Sequence, residues 1–154
     1  MKQKKPTIGD VIEFQVKGGT AYALYSHEQP EYGSLLRVWN RVHEVRPTDF
    51  RTLVQDPPSF SCFFPLRAAL SRGIVKIAGA SVVPASLSVF PTFRTGMVGS
   101  DGLVAVWWLW DGKSSVKVGS LTEGQMKLPV RGIWNDTLVI SRVEQGWTDS
   151  ANSD

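Results

Sequence analysis

Apolar residues crowd the chain between Leu103 and Trp110, where every position of LVAVWWLW is hydrophobic. A strand shows alternate side chains to opposite faces, so this arm carries apolar groups on both. Asp111-Gly112 follows, and then the alternating SSVKVG to Gly119. An Asp-Gly pair accepts the positive φ angles of a tight turn, so the stretch predicts a hairpin. Across a two-residue loop, Trp110 faces Lys113, Trp108 faces Ser115 and Trp107 faces Val116. Ala105, Trp107 and Leu109 then join Val116 and Val118 in the core. Val104, Val106, Trp108 and Trp110 share the other face with Lys113, Ser115 and Lys117. A three-residue loop that includes Lys113 reverses the two faces. On the two-residue register, either the C-terminal helix or a partner covers Trp108 and Trp110. This hairpin is expected to be the spine of the domain.

The rest of the pattern divides into short elements. Val11 to Val16 and Thr20 to Tyr25 flank Lys17-Gly18-Gly19 and predict a second hairpin. His27 to Gly33, HEQPEYG, is expected as an exposed loop. In Leu35 to Val45, Leu36, Val38 and Val42 point one way, while Arg37, Trp39, Arg41 and His43 point the other. That alternation predicts a strand with a core face and a solvated basic face. Phe50 to Val54 is expected as a short strand ended by Asp56-Pro57-Pro58. Pro65 to Arg72 before Gly73 predicts a helix, because proline suits the first helical position and glycine the position past the end. Ile74 to Ala78 predicts a strand. The region from Gly79 to Gly102 is expected to be irregular, with one short strand near Ser86 to Phe90. Near the end, Asn135 or Asp136 can cap a helix over 137–145 that stops at Gly146 and gathers Val139, Ile140, Val143 and Trp147 on one face. The β-branched content of that segment leaves a strand open.

These elements predict an α+β, β-rich fold. Its expected architecture is a twisted antiparallel sheet or open barrel of six to eight strands, with a short helix near 65–72 and a C-terminal helix near 137–145. The 154 residues suit one domain over 8–148 with tails at 1–7 and 149–154. A hydrophobic share of 42% with 20% charged residues is that of a globular chain and not of a disordered one. The net charge of +3 is weak for a dedicated nucleic-acid binder. A single cysteine, no secretion signal and no run approaching the ~20 apolar residues of a membrane helix point to a cytoplasmic, non-membrane protein.

Candidate chemistry is sparse. Two histidines and one cysteine occur singly, without the spacing of a metal site. Cys62 with His43 and Asp49 could make a triad only by meeting in space, and the setting FSCFF suits a small buried hydrophobe better. Gly18-Gly19 and Gly99-Ser100-Asp101-Gly102 lack the lysine and spacing of phosphate loops. Asn135-Asp136-Thr137 matches a glycosylation acceptor, but capping explains it without secretion. No cofactor is expected. The basic face of Arg37, Arg41 and His43 around Trp39 could stack bases and neutralise phosphates. Glu28, Glu31, Glu44 and Asp49 would blunt its field, so nucleic acid is the lesser reading.

Two stretches carry a resemblance. Gly9-Asp10-Val11-Ile12-Glu13-Phe14 followed by Gly19-Thr20-Ala21-Tyr22-Ala23 is similar to the opening of the Immunity protein 26 family of bacterial polymorphic toxin systems. Ile133-Trp134-Asn135-Asp136, Leu138 and then Arg142-Val143-Glu144-Gln145-Gly146-Trp147 resemble that family's closing segment. The chain departs from it at Leu24-Tyr25, where a glycine-basic pair is expected. The resemblance implies an immunity protein that binds a toxin and blocks it, with no catalytic residue. Gly9, Asp10, Tyr22, Asn135, Asp136 and Trp147 take turn, cap and core positions. A partner surface of ~800 Å² with aromatic and arginine anchors is expected to draw on Glu28, Glu31, Tyr32, Arg37, Trp39, Arg41, Trp108 and Trp110.

Overall fold

Glycine permits the first turn. In the computed structural model, which describes residues 5–152, β1 (Asp10–Val16) and β2 (Gly19–Gln29) form the expected N-terminal hairpin, with Val16 opposite Gly19 and Val11 opposite Leu24. Gly19 has φ +152°, and a Cβ there would lie 2.1 Å from the carbonyl oxygen of His43. Only a residue without a side chain lets the neighbouring strand approach so closely. That neighbour is β3 (Gly33–His43), which pairs back on β2. Addition of β4 (Phe60–Phe64) beside β3 and β5 (Val75–Ala80) beside β1 gives an antiparallel sheet in the order β4-β3-β2-β1-β5.

Four helices among the described residues cover it: α1 (Arg51–Gln55), α2 (Leu66–Ser71), α3 (Ala85–Ser88) and α4 (Asp136–Glu144). On one face Ile12, Phe14, Ala21, Ala23, Leu36, Val38 and Cys62 pack with Leu66 and Leu70 of α2 and Val139 and Val143 of α4. On the other, Val11, Tyr22, Leu24 and Trp39 pack with Phe50, with Leu53 and Val54 of α1 and with Leu87 of α3. A second antiparallel sheet holds β6 (Phe93–Thr95), β7 (Trp107–Trp110) and β8 (Ser115–Gly119), in that order. The fold is α+β and strand-rich, with eight strands in two antiparallel sheets, and the larger sheet does not close into a barrel.

Several expectations change. The tryptophan hairpin is not the spine: only Trp107 to Trp110 form its first strand, and the five-stranded sheet holds most of the core. Its loop has four residues, because Trp110 pairs with Ser115 and Trp108 with Lys117. The Asp111 carboxylate accepts from the backbone N–H groups of Lys113 and Ser114, at 2.9 Å each, and closes a wider turn than Asp-Gly alone requires. The two-residue shift keeps the side-chain parity, so Trp108 and Trp110 share a face with Ser115 and Lys117 as expected. Burial does not follow the two faces, however: Trp110 is core, Trp108 on the same face is 40% exposed, and Val116 on the opposite face is 61% exposed. The C-terminal helix does not cover this face, since α4 lies on the larger sheet.

Other segments differ for local reasons. Phe50 to Val54 begins a helix rather than a strand, placing Phe50, Leu53 and Val54 against the sheet at one-turn spacing. Ser86 to Phe90 likewise falls partly in α3, and the strand of that region comes later, at β6. The loop expected over 27–33 is mostly strand; β2 runs to Gln29, whose side-chain oxygen accepts from the N–H groups of Glu31 and Tyr32, at 2.7 Å each, and shapes a short turn. The face of Arg37 and Trp39 is not solvated, because α1, α3 and the segments beside them cover it.

The outer edge of β4 is sealed by the second half of the chain. Phe63 donates its N–H to the Gly132 carbonyl and accepts from the N–H of Trp134, while Ser61 donates to the Asp149 carboxylate and Asp149 to the Ser59 carbonyl. Asp149 belongs to a segment read as polar tail, yet it is stitched into this edge. β8, by contrast, is the terminal strand of its sheet, with Ser115, Val116 and Lys117 exposed.

The predicted cap at α4 is present: the Asn135 side-chain oxygen accepts from the Leu138 N–H at 2.8 Å. Asn135→Ala is expected to cost about 1 kcal/mol, seen as a fall of about 2–4 °C in thermal midpoint. Asn135→Asp keeps an acceptor and should lose little of it.

Candidate functional site

The two sheets meet through aromatic rings. Phe63 of β4 stacks on Phe93 of β6 at 5.2 Å between ring centroids and lies 5.3 Å from Tyr32 and 6.0 Å from Trp110. Tyr32 and Trp110 are 5.0 Å apart, and Phe90 meets Trp110 edge-on at 5.7 Å. Offset and edge-to-face pairs of this kind add ~0.5–1.5 kcal/mol each to their burial. The segment 129–134 fastens the same joint through the backbone. Arg94 of β6 donates to the Pro129 carbonyl and accepts from the Arg131 N–H, and the chain then passes to its bonds with Phe63.

That path sets Arg131 against the joint. Its guanidinium lies 5.2 Å from the ring centroids of both Tyr32 and Trp110. A cation over two ring faces is attracted to both quadrupoles. The side chain forms no ion pair or hydrogen bond among the described residues. Beside it opens a cleft of about 510 Å³ lined by Thr95, Gly96, Met97, Trp108, Ser115 and Arg131. Trp108 is 40% exposed and Met97 90%, and Val98, Leu103 and Val106 are exposed in the neighbouring arm. The arm folds back closely: Val98 bridges Val104, and a Cβ on Gly96 would lie 2.4 Å from the Val104 side chain. Gly96 is what lets this apolar arm lie beside the cleft.

Of the residues expected at a partner surface, Tyr32, Trp108 and Trp110 come together here. Glu31 is exposed beside Tyr32 in the β2–β3 turn. Glu28 lies at the same end of the sheet, where its carboxylate accepts from the Tyr25 and Ser34 hydroxyls. Burial and that carboxylate push the Tyr25 phenol up to about 12. Arg37 and Trp39 are elsewhere, in the interior. Arg37 donates to the Ser26 hydroxyl at 3.0 Å and to the Val89 carbonyl at 3.2 Å, and Trp39 donates to the Asp56 carbonyl at 3.0 Å. Burial lowers the Arg37 guanidinium to about 10. No base can stack on an enclosed Trp39, so the basic strand face offers no platform of the expected kind. Arg41 is exposed but lies nine residues of strand from Tyr32, roughly 30 Å away. Sequence reasoning missed Arg131 and Met97, which sit in segments without periodicity.

The proposed nucleophile is not assembled with its partners. Cys62 is fully buried among apolar side chains, and burial pushes its thiol up. His43 packs edge-on against Tyr22 on the opposite face of the sheet, and Asp49 is held by Arg51. A second polar group lies deep in the molecule. Arg94 is fully buried, donating to the Leu128 carbonyl at 2.9 Å and the Asp149 carbonyl at 3.1 Å. Burial raises the Asp149 carboxyl to about 7, against the pull of the Ser61 N–H, Arg94 and Arg37. These contacts fasten structure and open onto no reacting atom.

Among the described residues no helix is long and apolar enough to cross a membrane. Comparison of the chain with family models, curated proteins and solved structures gives no match.

Proposed function

We propose that this chain is a cytoplasmic immunity-type protein that binds a bacterial toxin by direct protein–protein contact and blocks it without chemistry of its own. One observation carries the reading: an exposed apolar surface around Trp108, with Met97, Val98, Leu103 and Val106, beside the smaller sheet. Extended apolar patches on a single chain are uncommon and mark places where another macromolecule docks. Tryptophan is also over-represented among residues that dominate binding energy. The resemblance of the two end segments to an immunity family supplies the class of partner.

The test is protection. Cells carrying an inducible toxin domain encoded beside this chain's gene should survive induction when the chain is co-expressed. Trp108→Ala should then remove protection while the protein still unfolds cooperatively, at a cost of about 1–2 kcal/mol for a side chain that is 40% exposed. Undiminished killing by the toxin in the presence of the wild-type chain would sink the proposal. A Trp108→Ala protein that fails to fold would move the tryptophan into the core and the binding site elsewhere.

A further inference from the structure

Arg131 is the feature of the cleft that folding alone does not explain. Its guanidinium is held over Tyr32 and Trp110 by the geometry of the joint, and it forms no ion pair among the described residues. The planar fork of an arginine matches a carboxylate bidentately, and stacking fixes the fork before any partner arrives. Lys117, opposite Trp108 in the strand register, adds a second positive charge to the same face. The nearest acids in sequence, Asp136 and Glu123, form no ion pair with it among the described residues, while Asp111 binds its own turn and Asp101 accepts from the Leu103 N–H. Glu31, in the turn beside Tyr32, is exposed and makes no ion pair among the described residues. Beyond Arg131 the cleft is lined by Thr95, Gly96 and Ser115 and by two accessible apolar side chains, Met97 and Trp108.

We infer that this cleft seats an acidic side chain of the protein partner, its carboxylate on the Arg131 guanidinium, with an adjoining apolar side chain against Trp108 and Met97. The inference rests on the proposed function for the identity of the partner as a protein, and adds the chemistry by which it is recognised. A buried arginine–carboxylate pair is a charge-assisted contact, and its loss costs more than that of a neutral hydrogen bond.

The experiment has two arms. A displayed library of random peptides is panned on the wild-type chain, and selected peptides are titrated against variants. Sequences with Asp or Glu next to a large apolar residue should be enriched. Arg131→Gln should weaken them by about 30-fold and Arg131→Lys by about 5–10-fold, because lysine keeps the charge but not the planar fork. Met97→Glu places a repelling carboxylate at the rim on a 90% exposed residue, and should weaken them by about 10-fold without affecting the fold. In the second arm the same variants enter the toxin-protection assay and should lose protection in that order. Selected peptides without acidic residues, or binding indifferent to both Arg131→Gln and Met97→Glu, would overturn the inference. So would a 20-nucleotide single strand that binds through Arg131 more tightly than any peptide, which would make phosphate the occupant. Wild-type protection that none of the variants disturbs would overturn it and leave the proposed function standing. Acidic peptides selected by a chain that protects against no toxin would support the cleft chemistry and overturn the proposed function.

Discussion

Phe63→Ala should lower the stability of the fold by about 3–5 kcal/mol, the cost of emptying a fully buried phenylalanine site. Phe63 is completely enclosed and meets rings from three directions: Phe93 and Trp110 of the second sheet and Tyr32 of the β2–β3 turn. No single backbone contact can replace that ring, because it fills the space between the sheets. For a chain of this size the loss corresponds to a fall of about 8–15 °C in thermal midpoint. The consequence is also local. Trp110 and the segment 129–134 lose their shared support, so Arg131 and Trp108 should no longer be held in one cleft. Urea denaturation followed by tryptophan fluorescence would measure the first effect, and near-ultraviolet circular dichroism of the native protein the second. A shift below about 1 kcal/mol would mean that the sheets are joined elsewhere.

The second large effect concerns pH. The Asp149 carboxyl titrates at about 7 in the folded protein, against an ordinary value of 3.8, and burial is the main cause. Between about pH 4 and pH 7 the native state therefore holds a proton that the unfolded chain has released. Stability must fall as pH rises through that window, and level off above it. At pH 7.5 the charged carboxylate costs on the order of 2–4 kcal/mol relative to a neutral group in the same place. Asp149→Asn supplies that neutral group and can still accept from the Ser61 N–H. The variant should be the more stable protein at pH 7.5, and the two should converge near pH 4. His27 and His43, which burial holds below the usual 6.5, act in the opposite direction in both proteins. The difference between parallel urea titrations at pH 4.5, 6 and 7.5 therefore isolates the carboxyl. A difference that does not change with pH would place the group in water.

The elements with local signals were legible. Lys17-Gly18-Gly19 between two apolar runs marks a turn, Pro65 and Gly73 bracket α2, and Asn135 marks the start of α4. Alternation in β3 also identified which side chains share a face. It could not reveal what covers the second face, since α1 and α3 arrive from segments downstream in the chain and enclose Arg37 and Trp39. An apolar run such as LVAVWWLW has no period, so it misled twice, once on the length of β7 and once on the buried side. Tyr32, Trp108 and Trp110 were nameable as large aromatics near turns. Arg131 was not, because its position depends on the path of 129–134 between β6 and β4 and on no neighbour in sequence.

The free rim of β8 bears on how copies of the molecule meet. An unpaired strand beside exposed apolar side chains is a template for end-to-end polymerisation. Here the strand is five residues long, carries Lys117 at its middle and ends at Gly119. A short rim with a lysine repels a second copy of itself, and the glycine weakens any further pairing because it adds backbone freedom and no side chain to pack. The apolar surface around Trp108 thus borders a strand edge that disfavours pairing with a copy of itself.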